Sequence, residues 1–346
     1  MRALTGVSVM AVIKANGYGH GILEVARTSV DAGAAYCGVA RVEEALELRR
    51  QNFETPILVL GNTPAEKMGE AVGNRTSLTI FKPAHVDAVE RAAASSGCDA
   101  VVHVKVDTGM SRLGATPQVA FDLLRRLHDA PHVHLEGIFT HFARADEPLD
   151  PTTEKQETLF LDLMSEIEGA GLRPPIVHAA NSAAAISRPS SRFDMVRPGI
   201  AIYGLCPDKN MPLPADFRPA LRWKARLSFI QRLEPGRGIS YGHVYKTNKD
   251  ETIGVVPVGY GDGYRRVSGN QVLIHGKRVP VVGRVSMDQL MVNLDDVPES
   301  KIGDEVILIG RQGDDCISPE ELGDRWGTFN YEVICGLSAR VPRSYD

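Results

Sequence analysis

An alternation running through the first 200 residues constrains the fold most. Short apolar runs, many rich in β-branched residues, are followed by longer stretches with helical spacing. The runs are SVMAVIK (8–14), YCGVA (36–40), PILVLG (56–61), SLTIF (77–81), AVVHVKVD (100–107), LEGIFTHF (135–142), PIVHAAN (175–181) and FDMVRPG (193–199). Between them lie helical patterns such as VEEALELRRQ, HVDAVERAAASSG and TEKQETLFLDLMSEIEGAGL. Glu43, Glu44 and Glu47 precede Arg49 and Arg50, with Glu47 three residues ahead of Arg50, which suits an exposed, ion-paired helix face. Several patterns end in Gly, as helix C-termini do. Eight parallel-type strands with intervening helices predict an α/β fold, a (β/α)8 TIM barrel rather than an open sheet.

Past about residue 215 the texture changes. RLSFIQRL, ETIGVVPVGY, QVLIHGKRVPVVGRV, LMVNL and EVILIGRQ are short, alternating and separated by turn pairs such as PG, SG and GD. That pattern predicts a mainly antiparallel β domain. The aperiodic, proline-bearing stretch CPDKNMPLPADFRP reads as the linker. The expected organisation is a barrel over 1–215 and a C-terminal β domain over 216–346.

Composition excludes several classes. A net charge of −4 and a pI near 6.2 argue against a nucleic-acid or anionic-membrane surface. No apolar run approaches the roughly 20 residues of a membrane span. Met1–Ile13 faintly resembles a signal peptide, but it lacks a cleavage site and stops at a lysine and a turn. The five cysteines are odd in number and form no CxxC pair. That suits a reducing cytoplasm and argues against a disulfide framework or a metal site. Each cysteine is expected to be a small buried hydrophobe.

Barrel chemistry sits at the C-terminal ends of the strands, and polar residues cluster there. They are Lys14 after strand one, Lys105 and Asp107 in strand five, His141 in strand six, His178 and Asn181 in strand seven and Arg197 in strand eight. Singly, each reads as a loop-end salt bridge; the set is harder to dismiss. A lysine at a strand end can form a Schiff base with a carbonyl substrate or with pyridoxal 5′-phosphate. Lys14 alone leaves both open. Tyr18, Ser182 and the backbone after Arg197 (Gly199, Ile200) are candidates for a phosphate cradle. The plainer alternatives are a helix cap for Ser182, a turn for Gly199 and an ion pair with Asp194 for Arg197.

The stretches AVIKANGYGHG, HVKVDTGMSRLG, GIFTHFARADE, HAANSAA, VRPGIAIYG, ISYGHVY, PVGYGDGYRR, GRVSMDQLMV and NYEVICGLSARVPR run from residue 11 to 343. In that order they resemble the alanine racemases, fold-type III pyridoxal-phosphate enzymes. The resemblance implies a homodimer whose active site is shared across the interface, interconverting L- and D-alanine to supply peptidoglycan. Lys14 would hold the cofactor. Tyr18, Ser182, Gly199, Ile200 and Tyr331 would bind its phosphate. Arg197 would hydrogen-bond the pyridine nitrogen, and His141 would sit beside the ring and contact Arg197. Lys14 and Tyr241, the latter from the partner subunit, would be the two catalytic bases. Arg112 and the Met287 backbone N–H would hold the substrate carboxylate, and Tyr260 would wall the entry. Lys105 would be carbamylated and orient Arg112. With Tyr241, Tyr260 leaves room for a methyl side chain and little more.

The chemistry suits those residue types. A racemase removes a proton from one face of the α-carbon and returns one to the other, so it needs two bases. A phenol's reference pKa is about 10, so nearby positive charge must assist it. An arginine opposite the ring nitrogen keeps that nitrogen unprotonated, which disfavours transamination.

Related readings are a racemase for serine or a broader set, a decarboxylase, and a non-enzymatic pyridoxal-phosphate carrier. Arg197 disfavours the decarboxylase, and the β domain disfavours the carrier. The family usually carries a longer segment ahead of the lysine, and Met1–Val7 looks like the tail of its helix. No helix clearly follows strand eight, so an open stretch of barrel wall is expected there.

Overall fold

The computed structural model describes residues 1–346. The chain divides into two compact units, Met1–Phe217 and Arg218–Asp346.

The first unit is a (β/α)8 barrel. Its strands are β1 Ser8–Val12, β2 Tyr36–Val39, β3 Ile57–Val59, β4 Ser77–Ile80, β5 Ala100–Lys105, β6 Val133–Phe139, β7 Ile176–His178 and β8 Met195–Val196. They pair in parallel from β7 through β1 to β8. Hydrogen bonds from Asp194 N–H to Val177 C=O (3.0 Å) and Arg197 N–H to Ala180 C=O (2.8 Å) join the two ends of that ring. The helical segments are α1 Arg2–Thr5, α2 Lys14–Tyr18, α3 Ile22–Asp31, α4 Val42–Arg50, α5 Ala65–Gly73, α6 Pro83–Ser96, α7 Pro117–His128, α8 Thr152–Gly169 and α9 Ser182–Ser187.

Strands buried on both faces explain the near-continuous apolar runs. Alternate residues serve two cores. Val9, Ala11, Cys37, Val39, Ile57 and Val59 pack outward with the helices. Met10, Tyr36, Leu58, Phe139 and Met195 form a separate cluster, the inward layer. His103 and His178 join it through ring contacts with Tyr36 and Phe139.

The second unit holds β9 Trp223–Arg226, β10 Phe229–Leu233, β11 Gly238–Ile239, β12 Tyr245–Lys246, β13 Glu251–Val256, β14 Gln271–Ile274, β15 Lys277–Val282, β16 Leu290–Asn293, β17 Glu305–Gln312 and β18 Asp315–Ile317. The main sheet is antiparallel throughout. Helices α10 Pro319–Trp326 and α11 Asn330–Cys335 complete it.

Several expectations need correction. Only Cys37 is buried; Cys98 and Cys335 are exposed, and Cys206 and Cys316 are half-buried. The glutamates of α4 do not pair with its own arginines. Glu43 bonds Lys67, and Glu44 accepts from the backbone N–H groups of Ala40 and Ala15. Arg49 instead donates to carbonyls of the loops after α4 and α5. One 3-10 turn, Ile200–Tyr203, follows β8.

Candidate active site

Lys14 does not end a strand. β1 stops at Val12, and the chain turns through Ala15, Asn16, Gly17 and Tyr18, all at φ between 52° and 60°. Three of these four are not glycine, and the left-handed region costs each roughly 1 kcal/mol or more. Specific bonds offset that cost. Ala15 N–H donates to Glu44 Oε1 (2.6 Å), and Asn16 Oδ1 accepts from Ile22 N–H (2.9 Å). His20 Nδ1 reaches the Gly17 and Tyr18 carbonyls at 3.1 and 3.0 Å. This turn leaves Lys14 half-buried and Tyr18 buried. Tyr18 packs on Tyr203 at 4.9 Å between ring centroids.

Tyr18 leads to the next part of the site. A Cβ at Gly199 would collide with the Tyr18 phenol oxygen, so glycine is what lets the two approach. Ser182 is not the cap of α9. Asn181 is, accepting from Ala184 N–H at 3.0 Å. The Ser182 hydroxyl instead accepts from the N–H groups of Gly199 (2.9 Å) and Ala201 (3.3 Å). Tyr18, Ser182, Gly199 and Ile200 therefore gather at one place, at the start of the turn following β8.

Arg197 is buried and does not pair with Asp194, which bonds Arg173 (2.9 Å) and the Val177 N–H (2.7 Å). Its Nη2 donates to the Thr140 carbonyl (2.7 Å), the Ala179 carbonyl (3.0 Å) and His141 Nδ1 (3.2 Å). Its Nη1 donates to His178 Nδ1 at 3.1 Å. Burial pushes its pKa down to about 9, which still leaves it charged at neutral pH. His141 is held well below the usual imidazole range by burial, then by Arg197, Lys105, Arg112 and Lys14. A guanidinium can only donate, so neutral His141 carries its proton on Nε2.

Lys105 is 4% exposed. Its ammonium lies 5.4 Å from the Phe139 ring centre, and Arg197 lies 5.1 Å from the same ring. Burial and then Arg197, Arg112 and Lys14 push its pKa down to about 8, against the pull of Asp107. Asp107 also accepts from the N–H groups of Gly109 (2.9 Å) and Ser111 (3.0 Å), shaping the loop that carries Arg112. Four cationic side chains thus converge on His141 at the barrel mouth.

The other candidates lie in the second unit. Tyr241 is 68% exposed and begins a 3-10 turn entered through Ser240 at φ 60° and ψ −171°. Ser240 Oγ donates to the Arg284 carbonyl at 2.6 Å, holding that strained entry. Tyr260 and Met287 are exposed on adjoining turns, joined by bonds from Tyr260 N–H to Ser286 C=O (3.0 Å) and Gly261 N–H to Met287 C=O (2.9 Å). A Cβ at Gly259 would strike both carbonyls, so GYGDGY is a close-packing turn of the β domain. Tyr331 is half-buried on α11, 5.3 Å from the Phe329 ring.

Sequence reasoning missed Glu44, Asn16, Thr140, Gln156 and the partnership of His178 with Arg197. Gln156 on α8 donates to the His141 carbonyl (3.1 Å) and accepts from Ala143 N–H (2.8 Å), clamping the loop after β6. The Asn-Gly pair at 16–17 is the one signal that a left-handed turn follows Lys14.

A parallel barrel with cationic side chains gathered at its mouth, followed by an antiparallel β domain, is the architecture of a barrel enzyme. The profile of "Alanine racemase, N-terminal domain" matches residues 1–207, and that of "Alanine racemase, C-terminal domain" matches 220–345. The chain belongs to the alanine racemase family. The alanine racemase of Symbiobacterium thermophilum is 46% identical over 351 residues, covering 100% of this chain and 93% of that one. That of Desulfovibrio desulfuricans is 44% identical over 342 residues, covering 98% and 91%. The alanine racemase structure from Bacillus anthracis with bound L-Ala-P superposes with a TM-score of 0.91 at 42% identity, covering 97% and 88%. No helix is long and apolar enough to cross a membrane.

Proposed function

We propose that this chain racemises alanine with pyridoxal 5′-phosphate, using Lys14 and the partner subunit's Tyr241 as bases on opposite faces of the substrate. The observation that carries this reading is the convergence of Lys14, Lys105, Arg112 and Arg197 on His141, with Asp107 the carboxylate pulling against them. Such a field fits a doubly anionic ligand and a carboxylate substrate together.

The residues fit the cofactor. Tyr18, Ser182, Gly199, Ile200 and, from the β domain, Tyr331 would hold its phosphate. The Gly199–Tyr18 approach is a cradle that any side chain at 199 would fill. Lys14 would hold its aldehyde and Arg197 its ring nitrogen. When bound, the cofactor supplies an electron sink that acidifies the α-proton of alanine.

The remaining work falls to side chains. Arg112 and the Met287 N–H orient the carboxylate, so the α-hydrogen faces one base or the other. Lys14 takes or returns a proton on one face, and the Tyr241 phenol does so on the other. Neutral His141 accepts from Arg197 and so fixes its guanidinium without competing for a proton. Tyr260 and Tyr241 bound the side-chain space to about a methyl. The product would serve cell-wall synthesis in the cytoplasm.

Borohydride treatment after loading with pyridoxal phosphate should label Lys14, as read by peptide mass, and should leave Lys14→Ala unlabelled. Polarimetry should show both alanine enantiomers converging on zero rotation. Labelling elsewhere, or none, would defeat the proposal.

A further inference from the structure

Behind Arg197 lies a chain of buried polar side chains that the steps above leave unused. His178 accepts from Arg197 Nη1 at Nδ1, and its Nε2 lies 2.9 Å from His103 Nδ1. His103 Nε2 lies 2.9 Å from Glu136 Oε2. The Tyr36 phenol also bonds that carboxylate, and His134 on the same strand adds a weaker positive influence. Both imidazoles of the chain are completely buried, whereas the Glu136 side chain keeps 20% exposure.

The two ends dictate one proton arrangement. A guanidinium can only donate, and a carboxylate can only accept. His178 must therefore accept at Nδ1 and, as a neutral ring, donate from Nε2. His103 must do the same. Burial holds both rings below the usual imidazole range, against the upward pull of Glu136 on His103 and with Arg197 adding to the lowering at both, which favours the neutral rings this bonding pattern requires.

The barrel makes room for this chain. A Cβ at Gly137 would run into the His103 ring, so β6 keeps a glycine beside it. Phe139 stacks on His178 at 4.8 Å, and His103 meets His178 edge-on at 5.1 Å. Polar groups in a barrel interior cost stability relative to apolar filling unless each is satisfied, and here each ring nitrogen has a partner.

We propose that Glu136 is a positioning residue for Arg197, acting through His103 and His178. Its carboxylate fixes both rings as Nε2–H tautomers and so keeps His178 Nδ1 as the acceptor that orients the guanidinium. A carboxylate commonly fixes the tautomer of a functional histidine in this way. The proposal rests on Arg197 facing the cofactor ring, but the tautomers themselves need no cofactor.

Nitrogen-15 NMR of the ring nitrogens in the cofactor-free protein tests it, with assignment by His103→Gln and His178→Gln. Both rings should show a bare Nδ1 and a protonated Nε2 near pH 7. Either ring as an Nδ1–H tautomer or as imidazolium overturns the proposal. Glu136→Leu should mix the His103 tautomers and lower kcat about tenfold to a hundredfold with little change in KM. Glu136→Gln, which keeps an acceptor oxygen, should retain the tautomers and most of the turnover. A folded Glu136→Leu with wild-type tautomers and wild-type kcat overturns the proposal. If that variant does not fold, the wild-type spectrum still decides. A protein that binds no pyridoxal phosphate would give the expected nitrogen spectrum and fail only the turnover arm.

Discussion

Lys105 carries the sharpest electrostatic conflict in the barrel. Its folded pKa, about 8, lies below the roughly 10.4 of an exposed lysine. The folded state therefore binds fewer protons than the unfolded state between those values. The penalty is full below pH 8 and fades as pH rises toward 10.4. A neutral amine can add carbon dioxide, forming an N–C bond and releasing a proton, and the product carbamate would oppose Arg112, Arg197 and Lys14. Bicarbonate at pH 8 should then raise the melting temperature of the wild type by a few degrees, but not that of Lys105→Met. Carbon-13 bicarbonate should give a carbamate resonance that Lys105→Met lacks; a wild type showing neither effect has an unmodified lysine. Arg197 offers a second test. Placing a carboxylate there should protonate the ring nitrogen, so Arg197→Glu should lower kcat about a hundredfold and raise the conversion of alanine to its keto acid. Near wild-type turnover would refute the proposed electronics. Arg197 was legible because it follows the last apolar run. Its acceptors, the Thr140 and Ala179 carbonyls, were not, because only barrel closure brings those strand ends beside β8.

At the scale of elements, the period of the apolar runs announced every barrel strand, since strands covered on both faces must be apolar throughout. Their ends were less legible. β1 stops two residues short of Lys14 because a left-handed turn, stabilised by Glu44 from a separate helix, takes over. No local pattern encodes that long-range bond. The cysteines misled because their burial depends on position within a helix or loop, and Cys98 and Cys335 fall at exposed helix ends. Two predictions belong here. Gly199→Ala pushes a methyl into the Tyr18 phenol, so it should weaken pyridoxal-phosphate affinity while leaving the circular dichroism of the fold intact. Equilibrium titration should find that loss smaller in a Tyr18→Phe background, where the colliding oxygen is gone; an undiminished loss would mean the collision is not the cause. Gln156→Leu strips the loop after β6 of a donor to the His141 carbonyl and an acceptor for Ala143 N–H. A buried orphan costs about 1–3 kcal/mol and a partly exposed one less. His141 is half-buried and Ala143 exposed, so urea unfolding should show a loss of about 1–3 kcal/mol for the two together, with His141 loosened and turnover reduced.

For the whole molecule, Tyr241 decides the argument. It is exposed on a strained turn of the β unit, whereas Lys14 belongs to the barrel unit. Strain held at an exposed position is a common mark of function. A large exposed aromatic at such a place suits insertion into another chain. In a twofold dimer any site built from both chains occurs twice, each time pairing one barrel with the other subunit's β unit. Lys14→Ala and Tyr241→Phe should each be nearly inactive alone. Mixed, dissociated and reassembled at equal amounts, they should form heterodimers as about half the population. Each heterodimer would hold one site with both bases intact and one with neither. Activity should therefore return to about a quarter of wild type. If Tyr241 served the lysine of its own chain, every site in the mixture would lack one base, and no activity would return. The mixing experiment thus separates a shared site from a self-contained one without reference to how tightly the subunits bind, provided reassembly is confirmed by mass.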